Sequence, residues 1–85
     1  MNKYIIIKSY SKVGELSAIT HEPVKKTPYV SYYFALENLQ LMADNLKGCS
    51  TIVFNENKSA FMCLQEVTTE MGKTYQVLEY RIVEV

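Results

Sequence analysis

The stretch Ser31–Gly48, SYYFALENLQLMADNLKG, decides the fold of this 85-residue chain. At about 100° per residue, its apolar side chains share one arc roughly 120° wide. They are Tyr32, Ala35, Leu36, Leu39, Met42, Ala43 and Leu46. This periodicity predicts an amphipathic helix that ends at Lys47, with Gly48 in the left-handed conformation that often follows a helix. Thr27–Pro28 and Ser31 are alternative starts, because Ser and Thr cap free N–H groups and Pro is tolerated in the first turn.

Short runs rich in β-branched and aromatic residues lie on both sides of this helix, and such runs are typical of strands. We predict strands at Lys3–Tyr10, Glu15–Thr20, Ser50–Phe54, Ser59–Thr68 and Thr74–Val85. His21–Lys26 is expected to be a loop, since Pro23 breaks regular structure. The order β-β-α-β-β-β predicts an α+β fold in a single domain over residues 1–85. One amphipathic helix packs on a mostly antiparallel sheet of four or five strands.

The last strand changes its alternation near its middle. Tyr75 and Val77 share one face, whereas Leu78, Tyr80 and Ile82 share the other. Two adjacent apolar residues at such a change predict a bulge or a strong twist near Leu78.

A single helix covers only one face of a sheet, yet the first, fourth and fifth strands carry apolar residues on both sides. We therefore expect a second copy, a partner protein or curling of the sheet to cover the other face. A homodimer is the first expectation.

Composition and charge disfavour several classes of protein. Nine Lys and Arg balance nine Asp and Glu, so the net charge is zero. Binding of nucleic acid by phosphate neutralisation needs an excess of positive charge. No apolar run reaches the ~18 residues of a membrane span, and Tyr4–Ile7 is too short for a signal-peptide core. Two cysteines do not make the disulfide framework of a small secreted domain. We expect a cytoplasmic protein without a membrane segment.

The residues that carry chemistry are few. His21, Cys49 and Cys63 are the strongest soft ligands, and none has metal-site spacing, so we expect no metal or cofactor. A turn centred on Glu56–Asn57 would place the two sulfur atoms on opposite faces of a hairpin, which disfavours a disulfide. His21 next to Glu22 has the form of an oriented base, but a solvated loop pair is the simpler interpretation. Without a catalytic motif, we expect no enzymatic activity.

The outer side of the helix carries an unusual apolar stripe. Phe34 and Leu41 lie seven residues apart and project away from the core arc, with Tyr33 beside them, and Val30 joins them if the helix begins at Pro28. Such a stripe is either a contact surface or a site that residues 21–30 fold back to cover. We take these four as candidate partner-binding residues. They indicate a small intracellular binding protein that regulates or inhibits a partner by occupying its surface. By analogy of size and composition, it is of the phage-encoded or bacterial inhibitor type.

A second hypothesis is an oligomer that binds a small, nucleotide-like signal molecule between copies. Such a pocket needs aromatic rings for stacking and positive charge. Its expected lining is Tyr4, Lys8, Tyr10, Tyr80 and Arg81. An overlapping set suits a face that reads single-stranded nucleic acid, namely Tyr4, Tyr10, Tyr75 and Tyr80 with Lys3, Lys8 and Arg81. The neutral charge disfavours that interpretation, and simple packing of the tyrosine rings is the alternative. A third hypothesis is a structural subunit of a larger assembly.

Overall fold

The computed structural model describes residues 2–11 and 19–85, which form one helix and one antiparallel five-stranded sheet. The elements are β1 Tyr4–Ser11, β2 Ile19–Pro23, α1 Tyr32–Asn45, β3 Cys49–Phe54, β4 Ala60–Thr69 and β5 Gly72–Glu84. The strands lie side by side in the order β2-β1-β5-β4-β3. The predicted α+β fold and its order β-β-α-β-β-β are confirmed.

Helix α1 begins at the second of the two predicted starts. The Ser31 side chain accepts a hydrogen bond from the backbone N–H of Phe34 at 3.3 Å, which satisfies one of the free donors of the first turn. The start at Thr27–Pro28 is wrong because Tyr29 is extended. Two backbone hydrogen bonds of 2.8 and 2.6 Å join it to Tyr4.

The helix ends two residues earlier than predicted. Asn45 is its last residue, and Leu46 already has extended backbone angles. Lys47 therefore lies outside the last turn. Gly48 does adopt a positive φ of 73°, and it turns the chain into β3.

The core lies between α1 and one face of the sheet. Ala35, Leu39 and Ala43 bury the inner side of the helix, at the i and i+4 spacing that the sequence predicts. The sheet contributes Ile6, Phe61, Cys63, Leu78 and Tyr80. The rings of Phe61 and Tyr80 stack with their centroids 4.9 Å apart. Burying one large apolar side chain stabilises a fold by about 1.5–3 kcal/mol, so this layer is the main source of stability.

Strand β2 lies where a loop was predicted. Residues 21–23 pair with β1, so His21 stands opposite Ser9 and Pro23 stands opposite Ile7. Pro23 is tolerated there because it ends an edge strand, where a missing N–H breaks no inner ladder. Pairing with β1 thus overrides local composition. Most of the predicted strand at residues 15–20 lies outside the described residues.

Strand β5 runs without the predicted bulge. Its pairing with β4 is continuous from Gly72 to Arg81, and its pairing with β1 is continuous from Leu78 to Glu84. The alternation changes because Tyr75 and Val77 are exposed on the face turned away from α1, whereas Leu78, Tyr80 and Ile82 face the helix. The register shift occurs instead in β3, between Ser50 and Val53.

Candidate functional site

Four large apolar side chains form the outer surface of α1 and its entry, and we call them the helix patch. They are Val30, Tyr33, Phe34 and Leu41, with exposed fractions of 69%, 81%, 50% and 51%. The structure therefore places all four predicted partner-binding residues in solvent, away from the core. Residues 21–30 do not cover the patch. Within this segment, Tyr29 packs edge-to-face against Phe34 of the patch, with ring centroids 5.7 Å apart.

Neighbouring aromatic rings hold the helix patch in position. Tyr33 packs edge-to-face against Tyr32 at 6.3 Å, and Tyr32 packs in the same way against Tyr4 at 5.5 Å. Tyr29, which supports Phe34, is itself buried and bonded to the backbone of β1. Rings that are already restricted lose less conformational entropy on binding, so they suit a contact surface.

The polar groups that α1 itself contributes around the helix patch are neutral or acidic. Asn38 Nδ2 donates to the Phe34 carbonyl at 2.8 Å, and Asn45 Nδ2 donates to the Leu41 carbonyl at 2.7 Å. These two amides lie along the helix backbone and leave the apolar side chains prominent. Residues 32–45 contain two carboxylates and no basic residue. The patch is therefore an apolar stripe with an acidic margin along α1. At its entry the Lys25 ammonium lies 4.9 Å from the centroid of the Tyr29 ring, which packs against Phe34.

The sheet face turned away from α1 is the second candidate surface, and we call it the distal face. Side chains alternate along each strand, so the register assigns every second residue to it. Its apolar members are Ile5, Ile7, Ile19, Val53, Met62, Leu64, Tyr75, Val77 and Val83. Five of these are exposed. Among the described residues no helix or strand packs over this face.

A polar cluster occupies the middle of the distal face. Arg81 Nη1 donates to Ser9 Oγ at 2.9 Å and to Glu79 Oε1 at 3.0 Å. Ser9 Oγ lies 2.7 Å from His21 Nδ1. Because a guanidinium only donates, Ser9 Oγ accepts a hydrogen bond from Arg81. Glu22 does not orient His21, since consecutive residues of β2 point to opposite faces.

This cluster lies beside an open cleft of about 310 Å³. The cleft is lined by Ser9, Tyr10, Ser11, Ile19, His21, Met62, Val77 and Glu79. Ser9 is buried and bonded on both sides, so its oxygen is held in place. Glu79 and Arg81 remain partly exposed and present one negative and one positive charge side by side. Such a pair suits a surface that offers the same two charges in the opposite order.

Sequence reasoning missed this cluster. Ser9 and Arg81 are 72 positions apart, and Ser9 and His21 are 12 apart. Their meeting depends on the pairing of β1 with both β2 and β5. The only available signal was the alternation of side chains between the two faces of each strand. That signal was lost for His21, because the residue was predicted to lie in a loop.

The predicted ligand-lining set is divided by the sheet. Tyr4, Lys8, Tyr10 and Tyr80 belong to the helix side, and Arg81 belongs to the distal face. Tyr80 is buried in the core, and the Lys8 ammonium lies 5.1 Å from the Tyr10 ring centroid. The structure therefore does not bring these five residues together as one pocket in a single chain.

The two cysteines share the helix side of the sheet, so the predicted opposite orientation is wrong. Cys49 pairs with Gln65, two residues from Cys63 on the same strand. The prediction failed because of the irregularity in β3. The connection from Asn55 to Ser59 is longer than a two-residue turn and shifts the pairing by two residues, which keeps each side chain on its predicted face. The irregularity between Ser50 and Val53 shifts the pairing back by one residue, and this places Cys49 on the face of Cys63.

The environment of Cys63 makes its thiol a weak acid. Burial, followed by a hydrogen bond and charge repulsion from Cys49, raises the pKa of Cys63 to about 12. Because the thiolate is the nucleophile, a thiol with this pKa is a poor one near neutral pH. Cys63 therefore serves as a small apolar residue of the core.

Two further observations concern the described residues as a whole. In residues 2–11 and 19–85, no three His, Cys, Asp or Glu side chains are grouped closely enough to hold a metal ion. No helix in these ranges combines the length and apolar character needed to cross a bilayer. Comparisons with protein-family models, curated proteins and solved structures find no match to this chain.

Proposed function

We propose that this chain is a small intracellular binding protein without enzymatic activity, which regulates or inhibits another protein by occupying its surface. The observation that carries this proposal is the exposure of all four helix-patch residues, three on the outer side of α1 and Val30 just before the helix. A contiguous apolar patch that is rimmed by polar groups is typical of a protein-binding surface. Aromatic anchors are also enriched among the residues that dominate binding energy.

The chemistry of the helix patch defines the partner that it fits. Phe34 and Leu41 stand at i and i+7, the spacing at which a helix places successive anchors in an apolar groove. Glu37 and Asp44 each follow one anchor by three residues, and both are exposed. We therefore expect a partner with an apolar groove and Lys or Arg residues along its rim.

An inhibitory role follows from steric occupation, because a helix that fills a groove excludes any other ligand of that groove. The size and composition are those of phage-encoded inhibitors of host enzymes or defence systems, and we include this origin in the proposal by analogy. We also propose a homo-oligomer, with a dimer as its first form.

The test compares capture of proteins from a lysate of the native host by the wild-type chain and by Phe34→Ala/Leu41→Ala. Captured proteins are identified by mass spectrometry, and the affinity of each is then measured by calorimetry with purified components. Truncation of one central anchor costs about 2 kcal/mol or more, so we expect at least roughly 30-fold weaker binding.

The matched control is Met71→Ala/Val85→Ala, which removes two exposed apolar side chains outside the helix patch. This control is expected to bind like the wild type, and circular dichroism checks that both double variants are folded. Equal binding by the helix-patch variant and the wild type would show that the proposed contact is wrong.

A further inference from the structure

We propose that a second copy of this chain covers the distal face, sheet against sheet, about a two-fold axis that crosses β5 at the level of Tyr80. The axis lies in the plane between the two sheets and runs perpendicular to the strands. It places β5 of one copy on β5 of the other, with the two strands antiparallel. This assignment rests on the homo-oligomer of the proposed function and names its interface, which lies on the opposite side of the sheet from the helix patch.

The size of the distal face is suited to such an interface. Five strands spaced by ~4.8 Å span about 24 Å, and the seven residues shared by β1 and β5 extend over about 24 Å. The projected area is therefore about 570 Å², and side-chain relief adds accessible area to it. A standard stable interface buries about 800 Å² on each partner, so the whole face approximates one side of it.

The charges of the distal face are complementary to themselves under this symmetry. Glu79 and Arg81 flank the level of Tyr80 on β5, and both side chains are partly exposed. A two-fold axis at that level places Glu79 of each copy opposite Arg81 of the other. Two Glu79–Arg81 ion pairs then form between the copies, in addition to the Glu79–Arg81 pair within each copy. A partner of net positive or net negative charge gains no such match.

The apolar residues are complementary in the same arrangement. Val77 lies three residues before Tyr80, and Val83 lies three residues after it. Val77 of each copy therefore faces Val83 of the other copy. On β4, Met62 pairs with Glu79 and Ala60 pairs with Arg81, so a large side chain of one copy faces a small one of the other. Alternation of large and small residues across an interface permits close packing.

The first test is the molar mass by light scattering across a concentration series up to about 100 μM, which detects micromolar association. We expect twice the 9.8 kDa of one chain. Glu79→Arg and Arg81→Glu each place like charges across the axis, and each is expected to weaken the dimer at least about tenfold. Mixing the two variants restores opposite charges at both contacts. The mixture is therefore expected to recover a heterodimer of nearly wild-type affinity.

The matched control is Glu37→Arg, the same charge reversal on α1, which is expected to remain dimeric. Val77→Lys provides a second disruption that the monomer tolerates, since Val77 is half-exposed and Glu79 lies two residues along the same face. A wild-type monomer, a dimer that survives both reversals and Val77→Lys, or a mixture without recovery would overturn the proposal. Loss of the dimer in Phe34→Ala/Leu41→Ala would assign the contact to the helix patch instead.

Discussion

Two ionisable side chains of the core, Cys63 and Tyr80, are held in their neutral forms. Burial is the largest cause of the raised pKa in both, and the neighbouring thiols add to it. Both groups lie on the helix side of adjacent strands, within the same core layer. The core therefore contains two groups whose charged forms the fold excludes.

Alkaline pH is expected to destabilise the protein through these groups. An unfolded cysteine loses its proton near pH 9.0, whereas Cys63 in the folded chain holds it to about pH 12. Between these values the folded state binds more protons than the unfolded state, so the free energy of unfolding falls as pH rises. One such group lowers the free energy of unfolding by up to about 1.4 kcal/mol for each pH unit in this window. Tyr80 acts in the same direction.

Urea unfolding at several pH values above 8, in a non-thiol reductant, measures this effect. Cys63→Ala is expected to be less stable at pH 8 because it leaves a cavity, but its stability falls less steeply at higher pH. Cys49→Ala is the comparison variant, since it removes the neighbouring thiol and retains the buried one. Parallel pH profiles for the wild type and Cys63→Ala would contradict this account.

At the scale of elements, the sequence predicts what is local. The helix and the side of it that is buried follow from a period of 3.6 within fourteen residues. Three residues of the helix patch belong to the same pattern and are predictable without knowledge of any other element, whereas Val30 was included through a helix start at Pro28 that is wrong. The strands also follow from local composition, which accounts for the order of the fold.

Features that depend on pairing are less predictable. The polar cluster on the distal face needs β1 between two partner strands, and the thiol contact needs the register of β3 on β4. A shift of one residue moves every side chain to the other face, so the irregularity in β3 reverses the faces predicted from the turn. This is why Cys49 was assigned to the wrong face.

The irregularity in β3 yields a prediction at this scale. Thr51 has a φ of 54°, a left-handed conformation that a β-branched residue rarely adopts. Asn is tolerated there, so Thr51→Asn is expected to raise the free energy of unfolding by about 1 kcal/mol.

Gly48→Ala is the opposite control. Gly48 has a φ of 73°, and no heavy atom lies within 4 Å of the place that an alanine Cβ would take. Only the backbone conformation therefore opposes Ala, and we expect a loss of about 1 kcal/mol.

Chemical denaturation of both variants measures these differences directly. A destabilised Thr51→Asn with unchanged dependence on denaturant would show that the threonine makes a favourable contact that offsets its strain.

At the scale of the whole molecule, the two candidate surfaces lie on opposite sides. The helix patch is on the outer side of α1, and the distal face is on the far side of the sheet. A dimer formed through the distal faces therefore has its two helices outermost, and each presents a helix patch away from the other. Self-association and partner binding use separate residues, so both can occur at once.

This arrangement predicts the composition of the complex with a partner, and it rests on both proposals. Each dimer is expected to bind two partner molecules, one at each end. The two patches face in opposite directions, so they cannot engage one flat surface together, and the dimer gains no avidity there. Val77→Lys is expected to form a complex of one chain with one partner, with an affinity per helix patch equal to that of the wild type. Light scattering gives the masses of both complexes, and calorimetry gives the affinities. A single partner on each wild-type dimer would show that the helix patches are not independent and outermost.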